Sequence, residues 1–249
     1  CIIGAPGADS LRGAAYIFEK RSGIWQQAAR LTAADRAPED LFGHSADIFG
    51  NLAIVGAEWN DDNGLRSGSA YIFQRIGENW VQAQKLLPDD GAAKDKFGNA
   101  VTIQGNLAVV GAYWDDTYTG SAYVFKKTGG TWTQVKKLTA DDASLGDLFG
   151  SSVSLHHNRV IIGAFEENIP GPESGAAYIF RNTGALWPQT HRLKAYDAAE
   201  YDGFGAAVDI SPLYAVIGAS GADAYGLNSG AVYTYAISRI PLHMILLLL

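Results

Sequence analysis

The stretch Phe97–Ala112, FGNAVTIQGNLAVVGA, followed by GSAYVF from Gly120 and WTQVKKL from Trp132, holds the plan of the whole chain. VTIQ and LAVV are short β-rich runs, too short for amphipathic helices, and the Gly and Asn residues around them are strand punctuation. Between them stands Gly105-Asn106, a two-residue turn suited to a tight antiparallel hairpin because both residues accept positive φ cheaply. A strand after Phe-Gly (A), a strand ending in Gly-Ala (B), a tyrosine strand (C) and a tryptophan strand (D) then form one four-stranded unit.

That unit repeats. Phe-Gly recurs at Phe42, Phe97, Phe149 and Phe204, with spacings of 55, 52 and 55 residues. Gly-Ala follows at Gly4, Gly56, Gly111, Gly163 and Gly218, and the tyrosine segment begins at Gly13, Gly68, Gly120, Gly175 and Gly230. The tryptophan segment reads WQQAARL from Trp25, WVQAQKL from Trp80, WTQVKKL from Trp132 and WPQTHRL from Trp187. Antiparallel four-stranded units at this period are the blades of a β-propeller, an all-β fold. Residues 1–237 are read as blades with boundaries near Phe42, Phe97, Phe149 and Phe204. The strand inventory is three, four, four, four and three, so about four and a half blades of a six- or seven-bladed ring are expected.

Composition agrees. Glycine takes 29 of 249 positions, well above the roughly 7 per cent of average usage. With 47% hydrophobic and 18% charged residues the chain can bury a core, which excludes global disorder. A formal charge of -7 repels phosphate backbones and argues against nucleic acid as a partner. One cysteine, Cys1, excludes an internal disulfide and cysteine-rich metal centres. CIIGAPGADS lacks the parts of a signal peptide, so the start reads as internal. The apolar tail 238–249, broken by Pro241 and His243, falls short of the roughly 20 residues that span a bilayer; a non-native end and an outer strand are both open for it.

The Phe-Gly and Gly-Ala pairs at 42–57, 97–112, 149–164 and 204–219, with GAPG from Gly4, resemble FG-GAP repeats, the units of the integrin α-chain N-terminal propeller and of many bacterial secreted and surface proteins. The resemblance implies an extracellular or cell-surface binding or adhesion module, with a protein or glycan as ligand. It also implies a calcium loop between strands A and B, but that place holds only Gly50-Asn51, Gly105-Asn106, His157-Asn158 and Pro212-Leu213. The family's calcium ligands therefore do not carry over, and the short-turn bacterial variant is the nearer likeness.

The repeated Tyr16, Tyr71, Tyr123, Tyr178 and Tyr233, the four strand-D tryptophans and the Phe-Gly phenylalanines are read as packing, because identical placement in every unit serves packing rather than one site. Loops B–C and D–A share one end of the blades and carry 22 of the 26 acids, which predicts an acidic loop face. There the aspartate two residues before each Phe-Gly is read as a turn cap. Two loops break the symmetry: Trp59 precedes Asp61-Asp62, and Trp114 precedes Asp115-Asp116. Tryptophan beside carboxylates suits a sugar ring or a protein contact, while the alternative is two rings covering the blade tops. Calcium needs six to eight oxygens at set positions, and no loop shows that spacing. No cofactor is expected, and a calcium effect would be confined to Asp61, Asp62, Asp115 and Asp116.

For catalysis the motifs are missing: no nucleophile elbow, metalloprotease helix or phosphate loop occurs. His156 and His157, adjacent on a predicted strand, are expected to point to opposite faces. The reading is a non-enzymatic binding module; the competing classes are a glycan-active hydrolase or lyase using face carboxylates, and a structural spacer.

Overall fold

The computed structural model describes residues 1–168, 173–223 and 226–237; the tail at 238–249 lies outside them. Five antiparallel sheets follow one another along the chain. The first holds β1 (Ile2–Ala5), β2 (Ala14–Arg21) and β3 (Ile24–Leu31). The second holds β4 (Ala46–Phe49), β5 (Leu52–Ala57), β6 (Ser69–Ile76) and β7 (Asn79–Leu86). β8 (Val101–Gln104), β9 (Leu107–Ala112), β10 (Ser121–Thr128) and β11 (Thr131–Leu138) form the third. The fourth is β12 (Phe149–His156), β13 (Arg159–Ala164), β14 (Ala176–Arg181) and β15 (Gln189–Leu193), and the fifth is β16 (Phe204–Ile210), β17 (Tyr214–Ala219) and β18 (Ala231–Ala236). Every strand pairs with its sequence neighbour, so each sheet is a meander.

The sheets stack face to face in chain order, and the apolar runs follow from this. In β5 and β9 every residue is buried, because alternate side chains enter the core before and the core behind. Ile54 and Ile72 pack toward the third sheet with Phe97, Tyr123 and Phe125, whereas Val55, Tyr71 and Phe73 pack toward the first with Ala15 and Ile17. Each Phe-Gly phenylalanine is fully buried and lies edge-on to strand C of its own sheet, as Phe97 does to Tyr123 at 5.6 Å and Phe125 at 5.9 Å. Its backbone meanwhile bridges the preceding sheet, in the pairs Gly13 with Phe42, Gly68 with Phe97, Gly120 with Phe149 and Gly175 with Phe204. The Phe-Gly pair is thus the clip between blades.

Two expectations change. Trp132 and Trp187 are buried in the joint with the sheet before them, but Trp25 is 57% exposed, because the described residues place no sheet ahead of the first. Three of the A–B turns are left-handed at their first residue only, with φ 59° at Gly50, 62° at Gly105 and 54° at His157. His157 therefore leaves the strand, and its ring lies 4.3 Å from that of His156 instead of facing away.

Candidate functional site

Loops D–A and B–C are built as pairs. The residue before each Phe-Gly phenylalanine donates its backbone N–H to the B–C loop of the preceding sheet: Leu41 to Leu11, Lys96 to Arg66, Leu148 to Tyr118 and Gly203 to Glu173. The repeated aspartates close the D–A loops. Asp40, Asp95, Asp147 and Asp202 each accept the backbone N–H three residues upstream, at 2.6, 2.6, 2.7 and 2.8 Å, which is the capping role read from the sequence. All four are buried. Burial, helped by the neighbouring charges of Asp115 and Asp90, pushes Asp95 up to about 6.

The acidic face is not bare, because strand D supplies it with cations. Lys85 bridges Asp35 at 2.7 Å and also meets Asp62. Lys137 lies 2.8 Å from Asp90, 2.7 Å from Asp115 and 3.0 Å from Asp116. Arg192 holds Asp142 at 3.0 Å and Glu167 at 2.5 Å, and Arg30 holds Asp9 at 2.5 Å. Each cation also stands over the strand-C tyrosine of its own sheet, within 5.1–6.0 Å of the ring centre. The acidic loop face expected from the sequence is thus partly neutralised by strand-D cations. The signal was in the sequence: a basic residue stands five positions after each tryptophan, at Arg30, Lys85, Lys137 and Arg192.

Of the two tryptophan loops, one forms a cleft. Trp114, Asp115, Asp116 and Tyr118 face Asp90 and Asp95 across about 510 Å³. The loop is shaped by three successive left-handed residues, Asp116, Thr117 and Tyr118, at φ 50°, 62° and 66°. This conformation costs a non-glycine residue about 1–2 kcal/mol. Backbone bonds from Gly120 to Asp115 at 2.9 Å and from Tyr118 to Trp114 at 3.1 Å hold it, and Tyr118 then packs edge-on to Trp114 at 5.0 Å. Lys96 stands 3.7 Å from the Trp114 ring centre, so one face of the indole is already covered.

Trp59, Asp61 and Asp62 do not line that cleft. Arg66 covers the Trp59 ring at 4.0 Å, Asp61 accepts the Arg66 backbone N–H at 2.7 Å, and Asp62 is paired with Lys85. This loop turns its aromatic and Asp61 on itself and gives Asp62 to strand β7.

Among the described residues no three His, Cys, Asp or Glu side chains are disposed to hold a metal ion. The Lys137 ammonium occupies the point on which Asp90, Asp115 and Asp116 converge, and the A–B turns carry no carboxylate. A chelator is therefore expected to leave the melting temperature within about 1 °C, whereas a ligand bound only by the native state at a hundredfold excess over its Kd stabilises by roughly 2.7 kcal/mol. A melt with and without chelator checks this, and a large drop would place calcium in the blades.

Asp95 yields a pH prediction. Its value is raised in the folded state, so its ionisation opposes folding: the protein loses stability from this group as pH rises from about 4 to about 6, by at most about 3 kcal/mol. Asp95→Asn keeps an acceptor for Ala92 N–H and removes the charge. The variant is expected to gain on the parent as pH rises and to level off above pH 7, read by urea unfolding at pH 4 and pH 7.5; a constant difference would refute it.

A five-sheet all-β stack clipped by Phe-Gly pairs, with paired loops at one end, is an array of β-propeller blades. The FG-GAP repeat family model matches it four times, over residues 25–73, 80–125, 132–180 and 187–235, and the chain belongs to that family. Each matched unit starts at a strand-D tryptophan and ends on strand C of the next sheet, so it straddles a blade joint with Phe-Gly at its middle. No curated protein matches the chain. Among the described residues no helix is long and apolar enough to cross a membrane.

Proposed function

We propose that the chain is an extracellular or surface binding module that grips a protein partner through the cleft between Asp90–Asp95 and Trp114–Tyr118, taking a basic side chain there. Repeats of this family are typical of extracellular or surface proteins and of modules for binding or adhesion. The observation that carries the reading is the charge of the cleft. Asp90, Asp95, Asp115 and Asp116 stand against Lys137, Lys94 and the Lys96 that covers one face of Trp114, which leaves a pocket of one net negative charge with an aromatic wall, suited to a guanidinium or ammonium group. Asp61, Asp62 and Trp59 belong to the supporting loop in this reading.

A glycan is the second partner class, supported by the half-buried Trp114 ring beside Asp116, 66% of whose side chain is exposed. Catalysis by a carboxylate pair is the weaker reading, because the raised Asp95 has three counterparts with the same backbone bond in the other loops. The test is binding of immobilised chain to basic peptides and to a glycan array, repeated with Asp116→Asn and Tyr118→Ala. At least a tenfold loss for a basic peptide in both variants is expected. Retention of a glycan signal alone would transfer the site to sugars, and turnover of a polysaccharide or glycoside would overturn the non-enzymatic reading.

A further inference from the structure

One cross-strand row of the fourth sheet is basic from end to end. His156 closes β12, Arg159 opens β13 and Arg181 closes β14, and each is the register partner of the next, so the three side chains share one face of the sheet. The same row reads Phe49, Leu52 and Gln74 in the second sheet, and Gln104, Leu107 and Lys126 in the third. Like charges directly opposite one another destabilise a strand pair, and among the described residues neither Arg159 nor Arg181 belongs to an ion pair. A row shared by every sheet serves packing; a row that turns basic in one sheet needs another reason.

The turn beside the row departs as well. His157 holds the left-handed conformation at φ 54° where the turns of the second and third sheets use Gly50 and Gly105, residues that adopt it without a Cβ penalty. Its ring lies 4.3 Å from that of His156. The two histidines and Arg159 line a cavity of about 270 Å³, with Ser211 and Pro212 of the fifth sheet's turn on the other side. Arg159 donates one N–H to the Pro212 carbonyl at 3.1 Å, which anchors the guanidinium and leaves most of its five donors unengaged. The His156 Nε2 is shielded and has no hydrogen-bond partner, an unsatisfied group of the kind a bound ion completes. The facing strand β16 carries one acid, Asp209, and its carboxylate takes the Ser154 hydroxyl at 2.7 Å.

We propose that this cavity is an oxyanion site that takes a phosphate or sulfate group, free in solution or carried as an ester. A guanidinium fork matches the oxygen geometry of such a group, and imidazole N–H groups add donors beside it. The formal charge of -7 repels anions at long range, so what holds one here is the local set of donors and not a general attraction. The site lies at the A–B turn end of the blades, away from the paired loops, and is independent of the proposed cleft.

The probes are inorganic phosphate and inorganic sulfate, titrated into the full chain by calorimetry at constant ionic strength in chloride, and an immobilised sulfated polysaccharide. Saturable binding is expected, weakened about tenfold by Arg159→Leu and about threefold by His157→Gly, in keeping with the loss of charge-assisted hydrogen bonds. Binding of the free ions assigns the site to them, and binding of the polysaccharide alone, lost in the same variants, assigns it to an ester. Both variants install the residues of the sister sheets and are expected to melt no more than about 2 °C below the parent. No saturable binding in any arm, or equal binding by the parent and Arg159→Leu, would overturn the site. So would a loss in Lys126→Ala as large as that in Arg159→Leu, which would reduce the effect to diffuse charge. An Arg159→Leu chain that melts far below the parent would overturn it too, by making Arg159 a structural clip to the Pro212 carbonyl.

Discussion

Gly111→Ala is expected to destabilise the chain by about 3 kcal/mol, at the upper end of what overpacking a tight interior costs. The added methyl has nowhere to go. It would meet the Gly150 carbonyl of the next sheet and, at 3.1 Å, the Asn99 side-chain oxygen. Both obstacles belong to bonded structure: Gly150 follows Phe149, which bridges Gly120, and Asn99 donates to the Gly150 and Ser151 carbonyls at 3.2 and 3.1 Å. Relief therefore requires the third and fourth sheets to move apart, loosening the core that holds Val109, Val124, Phe149 and Tyr178. For a domain of this size the loss corresponds to a fall in melting temperature of roughly 6–12 °C. Gly218→Ala supplies the control, because the nearest atom to an added Cβ there is the Ala207 methyl at 3.6 Å, and its expected change lies inside about 0.5 kcal/mol. Paired thermal melts decide the matter; equal effects at 111 and 218 would show that the glycines serve the strands and not the joints.

That contrast shows how much of the molecule could be read from residues alone. Strands, their order and the two-residue turns were legible because short apolar runs such as LAVVGA and turns such as Gly105-Asn106 are local signals. The clip role of Phe-Gly was not, since it depends on a bridge between residues 29 apart in the chain, Gly120 and Phe149. Trp25 shows the same limit from the other side: it is the same letter as Trp132 in the same motif, and only the sheet in front of it decides burial. The site was half legible. Trp114, Asp115 and Asp116 share one cleft, whereas the similar string Trp59, Asp61 and Asp62 folds onto Arg66 and Lys85. The loop lengths separate them, with seven residues between Ala112 and Gly120 and ten between Ala57 and Gly68. The strand-D cations are not legible as partners of the acids because one basic residue near the end of a strand looks like an ordinary solvated position; its pairing with acids 21 to 50 residues away is a tertiary fact.

Lys137→Met tests the ion-paired rim and the cleft together. At neutral pH the variant is expected to lose about 2 kcal/mol, less than the 3–5 kcal/mol for breaking a fully buried pair, because a quarter of the Lys137 side chain is exposed. Asp115, only 6% exposed at its side chain, loses its ammonium and keeps the hydroxyl of Tyr123 at 2.9 Å. The loss carries a pH signature. Partial burial works against the Asp90 charge, yet the hydrogen bond from Lys137 holds its carboxyl below the usual value. A lowered folded value contributes stability that is present above the unfolded value of about 3.9 and disappears as pH falls through the folded one. The gap between parent and variant should accordingly be widest between pH 6 and 8 and narrow below about pH 4, as read by urea unfolding; a pH-independent gap would mean that the lysine acts through packing of its stem over Tyr123. The same variant leaves Asp90, Asp115 and Asp116 without their cation and makes the cleft more negative. A basic peptide should then bind the folded variant more tightly than the parent at low salt, with the gain shrinking as salt screens it. A glycan held by the Trp114 ring would show no such gain. Weaker binding of a basic peptide to a variant that remains folded would mean that Lys137 orients the carboxylates for the partner, and that charge alone does not make the site.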